Sequence, residues 1–96
     1  MTIPGARARV TLLIRGRVQG VTFREAARER ARHLQIVGVA ENRADGSVRI
    51  VAEGVRITLE EFVRWCREGP PLASVSDVQV EWGEVGPFPG EDFSIR

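Results

Sequence analysis

Arg24 falls in the first turn of a predicted helix, eight residues after Gly16 and four after Gly20. A helix N-terminus carries about half a positive charge and four N–H groups without helical partners. A cation there is disfavoured by up to ~1 kcal/mol unless an anion lies beside it. The glycines let the backbone turn its N–H groups inward, and the guanidinium of Arg24 offers a planar fork that suits a phosphoryl group. Arg17, Val18, Gln19, Gly20, Val21 and Thr22 are therefore expected to form a phosphate-binding loop, with Arg24 as its cation. The Gly16 to Gly20 spacing alone is a weak signal, since it fits neither G-x-G-x-x-G nor a Walker loop.

The elements that position this loop follow from periodicity. Arg9 to Arg15 is an apolar, β-rich run that reads as a central strand. From Thr22 the period becomes helical, with Phe23, Ala26, Ala27, Arg30, Ala31 and Leu34 on one face, and predicts a helix over about 22–34. Thr22 and Glu25 form a T-x-x-E capping box at its start, whereas Gln35 follows its end where glycine is usual. Val37 to Asn42 and Ser47 to Glu53 flank Ala44-Asp45-Gly46, a hairpin signal in which Asp45 is a turn residue. A second helix is expected from Thr58, with Thr58 and Glu61 as capping box, Ile57 and Phe62 as staple, and Leu59, Phe62, Val63 and Cys66 as buried stripe. Gly69-Pro70-Pro71 stops it. Val75, Val78, Val80 and Trp82 mark a fourth strand, Gly83 to Gly90 a loop, and Phe93 to Arg96 a short fifth edge strand.

The order βαββαβ predicts an α+β, ferredoxin-like sandwich: a mostly antiparallel sheet with two helices on one face. In it the first two strands run parallel with the third between them, so their ends meet at one edge of the sheet. That places Asn42, near the end of the second strand, beside the loop. Its amide is both donor and acceptor, so it can orient a water but cannot take its proton.

Composition narrows the chemistry. At 96 residues the chain is expected to be a single domain over 1–96. Its 14 basic residues are all Arg, which excludes a Schiff-base lysine or a Walker lysine. A net charge of +1 gives no field to hold nucleic acid or a membrane, so the expected partner is a small anion. The start lacks an apolar h-region, no stretch is of membrane-spanning length, and one Cys cannot form an internal disulfide. A cytoplasmic monomer is the expectation. One His, one Cys and scattered carboxylates offer no metal-ligand spacing, so neither metal nor cofactor is expected. His33 reads as a helix-end residue, Cys66 as a small core hydrophobe, and Trp65 and Trp82 as packing.

The run Gly16-Arg17-Val18-Gln19-Gly20-Val21-Thr22-Phe23-Arg24 resembles the GRVQGVxFR motif of the acylphosphatase family. Asn42-Arg43-Ala44-Asp45-Gly46-Ser47-Val48 resembles its N-x-x-DGSV motif, and Trp65 to Val75 and Phe93-Ser94-Ile95 extend the likeness over nearly the whole chain. The resemblance implies a cytosolic hydrolase that cleaves the carboxyl-phosphate anhydride of acyl phosphates without metal or covalent intermediate. Arg24 falls on the family's phosphate-binding arginine and Asn42 on its water-positioning asparagine. The chemistry is compatible, because an acyl phosphate already has a good leaving group and needs chiefly positioning and charge stabilisation.

The chain departs from the family pattern at three places. Thr22 replaces a Gly or aromatic residue, Gln35 a Gly, and Val39-Ala40-Glu41 a Trp-Val-Arg run. Strand alternation predicts that Glu41 faces away from Asn42. The alternative reading is a non-catalytic phosphate- or carbamoyl-phosphate-binding module, as occurs within hydrogenase-maturation proteins. RNA-binding domains of the RRM type share the element order, but Arg9 to Arg15 and Ser47 to Glu53 lack the aromatic residues on which bases stack.

Overall fold

Val10, Leu12 and Ile14 alternate along the first strand and are fully buried. Burial of every second side chain is what a sheet covered on one face requires. The computed structural model describes residues 5–87 and 91–96. Its elements run β1 (Arg7–Arg17), α1 (Phe23–His33), β2 (Val37–Asn42), β3 (Val48–Val55), α2 (Arg56–Glu68), β4 (Ser74–Gly83) and β5 (Phe93–Ile95).

Among the described residues one five-stranded sheet has the order β4-β1-β3-β2-β5. β3 is antiparallel to both β1 and β2, so β1 and β2 run the same way with β3 between them. β5 adds to the outer edge of β2 in parallel. With two helices on this mixed sheet the fold is ferredoxin-like α+β, as the element order predicted. No helix among the described residues is long and apolar enough to cross a membrane.

α2 buries the stripe read from the sequence, and α1 buries the centre of its own, with Ala26, Arg30 and Leu34 only partly covered. Phe23, Ala27 and Ala31 of α1 and Leu59, Phe62, Val63 and Cys66 of α2 join β1 and β3 residues in one apolar cluster. Phe62 stacks on Trp65 at 6.2 Å and meets Phe93 edge-on at 6.0 Å, which locks the short β5 onto α2. Cys66 is fully buried, and desolvation pushes its thiol pKa up, so it is an inert core residue as expected. Arg56 lies over the Trp82 ring at 3.8 Å.

Several boundaries differ from the sequence expectations. β1 extends to Arg17, because Arg15, Gly16 and Arg17 all pair with β4 across a bulge. Gly16 does not turn backbone N–H groups towards a ligand. At φ +120° it lies so near β4 that an added Cβ would sit 2.2 Å from the Ser74 carbonyl oxygen.

Neither capping box forms. Thr22 sits in the left-handed region at φ 61°, and its hydroxyl donates to the Val21 carbonyl (2.6 Å) instead of capping α1. β3 runs directly into α2, whose first residue is Arg56, so Thr58 lies inside the helix and donates to Val55 O at 2.8 Å. The staple is absent as well, since Ile57 is 69 % exposed. Residues 84–87 have no regular structure, as expected, and the rest of that loop, 88–90, lies outside the described residues. This segment is tied to the sheet by buried Glu53, which accepts from Arg9 Nε at 2.7 Å and Gly86 N at 3.1 Å.

Candidate active site

Where β1 gives way to α1, the chain crosses from Val18 to Thr22 with Gly20 at φ 74°, a left-handed turn residue. Val18 and Val21 are buried and anchor the crossing in the core. Between them the Gln19 amide donates to the carbonyl oxygens of Arg43 (2.7 Å) and Ser47 (2.9 Å). These two residues close the β2–β3 hairpin, so Gln19 fastens the loop to the hairpin that begins one residue after Asn42.

The result is a cleft of about 240 Å³. Val18, Gly20, Thr22 and Phe23 form one side, and Arg24, Glu25 and Asn42 complete it. Arg24 and Asn42 thus meet in one depression, as topology predicted. It lies below the ~300 Å³ at which pockets for drug-sized ligands begin, a scale for a small anion.

Not every predicted loop residue lines it. Arg17 is exposed and paired with Ser74, Gln19 reaches to the hairpin, and Val21 is 4 % exposed within the core; none of the three forms the cleft wall. Glu41, the departure beside Asn42, pairs with Arg49 at 3.5 Å and is not part of the wall. Asp45 shapes the hairpin turn by accepting from the Ser47 hydroxyl (2.5 Å) and backbone N–H (3.0 Å). These hydrogen bonds, with Arg15 nearby, hold its carboxyl pKa below the usual range.

Two ties had no sequence signal of their own. Arg24 Nη1 donates to the main-chain oxygen of Arg96 at 2.5 Å, and Arg96 N donates to Ala40 O at 2.9 Å. The phosphate-binding candidate is thereby tethered, through the chain beyond β5, to the strand that carries Asn42. The expected short edge strand over Phe93 to Arg96, for which the sequence assigned no neighbour, was the one available hint. The second tie is that of Gln19. A wider depression of about 660 Å³ lies on the helix surface, lined by Glu29, Arg30, His33 and Trp65 among others. It holds neither Asn42 nor a loop residue, so of the two the smaller cleft is the one that gathers the expected site residues. Among the described residues no three His, Cys, Asp or Glu side chains gather where a metal ion could be held.

The family model for acylphosphatase matches residues 10–95. The chain belongs to the acylphosphatase family. It is similar to an acylphosphatase of Anaeromyxobacter sp. (strain Fw109-5), 52 % identical over 89 residues, covering 93 % of this chain and 95 % of that one. Its fold matches the structure of an acylphosphatase from Coxiella burnetii with a TM-score of 0.87 and 37 % identity, covering both chains in full. It also matches part of full-length HypF in the phosphate- and nucleotide-bound form, with TM-score 0.81 and 28 % identity, covering 99 % of this chain but 12 % of that protein. The acylphosphatase match takes in the loop, Arg24, the Asn42 hairpin and β5 together.

Proposed function

We propose that the chain is an acylphosphatase that hydrolyses acyl phosphates to a carboxylate and inorganic phosphate at this cleft. The observation that carries the reading is the convergence of Arg24, at the start of α1, and Asn42, at the end of β2, on one small depression. Arg24, with N–H groups of the loop and of the first turn of α1, holds the equatorial phosphoryl oxygens and counters their charge as the bond to the leaving oxygen loosens. Asn42 accepts from the attacking water and sets it in line with the departing carboxylate. Because an amide takes no proton, the water's proton passes to a substrate oxygen or to bulk solvent. Val18, Gly20 and Thr22 shape the cradle, and Gln19 holds loop and hairpin in register. Arg17 and Val21 contribute backbone continuity.

The chain acts as a single domain and a monomer in the cytoplasm; its buried, unpaired Cys66 is in keeping with a reducing compartment. Hydrolysis of benzoyl phosphate by the wild type, abolished in Arg24→Ala, tests the reading. The likeness to a segment of HypF favours one alternative, a phosphate-binding module without turnover. Phosphate binding without hydrolysis of any acyl phosphate would establish that alternative.

A further inference from the structure

Glu25 has no role in the reading above, yet it lines the cleft. Its expected part in a capping box is not realised, and among the described residues its carboxylate has no hydrogen-bond or ion-pair partner. As a first-turn acid Glu25 suits the helix dipole, but its carboxylate also lines the cleft, where it bears on the charge a substrate can carry beside its phosphoryl group. From Thr22 and Glu25 a second depression of about 420 Å³ continues along α1, lined also by Ala26, Arg28, Glu29 and Arg32. The two depressions adjoin at Thr22 and Glu25, so the acyl end of a substrate held at Arg24 would pass Glu25 to reach this groove.

The groove has a definite chemical character. Ala26 is its one apolar side chain, so it offers little to a long hydrocarbon or an aromatic ring. Arg32 is already engaged by Asp92 through Nε at 3.0 Å and Nη2 at 2.6 Å. That leaves Glu25, Glu29 and Arg28, one negative charge in excess. Resting on the acylphosphatase reading, we propose that Glu25 is a specificity-determining residue that selects short acyl groups bearing no second negative charge and disfavours acyl phosphates with a distal carboxylate.

The test compares two substrates of equal chain length, butyryl phosphate and succinyl phosphate, which differ in the distal carboxylate. Repulsion between Glu25 and the phosphoryl group is common to both and cancels in the ratio of their kcat/KM values. A unit charge about 7 Å away changes that ratio roughly three- to tenfold, depending on the water between. The wild type is expected to favour butyryl phosphate. In Glu25→Gln, kcat/KM for succinyl phosphate should rise three- to tenfold more than for butyryl phosphate, chiefly through KM. Arg28→Gln should widen the preference, and raising the salt concentration should narrow it in the wild type. An unchanged ratio in Glu25→Gln, with butyryl phosphate still hydrolysed by the wild type, overturns this inference and leaves the proposed function standing. Failure to hydrolyse either substrate removes both.

Discussion

The two ends of α1 carry the same unusual backbone feature and put it to different use. Thr22 precedes the helix at φ 61° and Gln35 follows it at φ 57°, the two non-glycine residues in the left-handed region among those described. At the Gln35 end the backbone is closed by its own hydrogen bonds. Ile36 N donates to Ala31 O at 2.8 Å and Gln35 N to Arg32 O at 3.1 Å, the paired bonds of a Schellman motif, while Arg30, Arg32 and His33 match the negative end of the dipole. At the Thr22 end no side chain caps the first turn, and Arg24 opposes the dipole. The end closed by backbone hydrogen bonds lies away from the cleft, whereas the uncapped end, with Arg24 and Glu25 in its first turn, lines it and is the one we propose receives the phosphoryl group.

The largest expected effect comes from removing the mismatch. Arg24→Ala should lower kcat/KM for benzoyl phosphate by at least about 1,000-fold, on the scale of arginine contributions to phosphoryl transfer. His33→Ala, at the closed end and exposed, should change it by less than about twofold. Steady-state kinetics checks both, and a large loss in the His33 variant would break the contrast between the two ends.

Gln19→Ala should come next. It removes both hydrogen bonds to the hairpin, costing about 1–2 kcal/mol of stability by denaturant titration. Because those bonds hold the loop to the Asn42 hairpin, kcat should fall about tenfold or more. A loss of stability without loss of kcat would make Gln19 structural only.

Glycine at each left-handed position separates backbone strain from contact with the cleft. A non-glycine residue there costs about 1–2 kcal/mol, offset in part by the greater freedom of an unfolded glycine. Thr22→Gly and Gln35→Gly should each raise stability by about 0.5–1 kcal/mol, Thr22→Gly more because it is β-branched. Only Thr22→Gly should also alter KM, since only Thr22 lines the cleft. Matching kinetic effects at the two ends would show that helix strain, rather than position, governs the site.

The smallest effects are those of pH. Asp45 is held below the usual carboxylate range by hydrogen bonds from Ser47, and Asp92 by its hydrogen bonds with Arg32. A carboxyl whose folded pKa is depressed contributes stability that is present above its unfolded value, near 4, and lost as pH falls through the folded one. Asp45→Asn and Asp92→Asn should therefore flatten the decline in melting temperature on acidification below about pH 4, and neither should change stability's slope near pH 7.

Much of this was legible in the sequence, for identifiable reasons. Periodicity and the Asp-Gly turn gave the element order, and the topology of a split βαβ then placed Asn42 beside the loop without any contact being known. The capping boxes misled because a hydroxyl has more than one acceptor within reach. Thr22 found its neighbour's carbonyl once the backbone turned left-handed, and Thr58 bonded back one turn because β3 feeds straight into α2. The ties of Gln19 to the hairpin and of Arg24 to Arg96 join residues 24 and more positions apart through main-chain oxygens, which no side-chain pattern announces. Glu25 was hidden by its own plausibility as a cap.

The proposed mechanism divides the work, with Arg24 holding the phosphoryl group and Asn42 directing the water. Titration of inorganic phosphate alongside benzoyl phosphate turnover in Asn42→Ala tests it most directly. The prediction is phosphate affinity within about twofold of wild type with turnover reduced by about 100-fold or more. Affinity and turnover falling together, by similar factors, would contradict it.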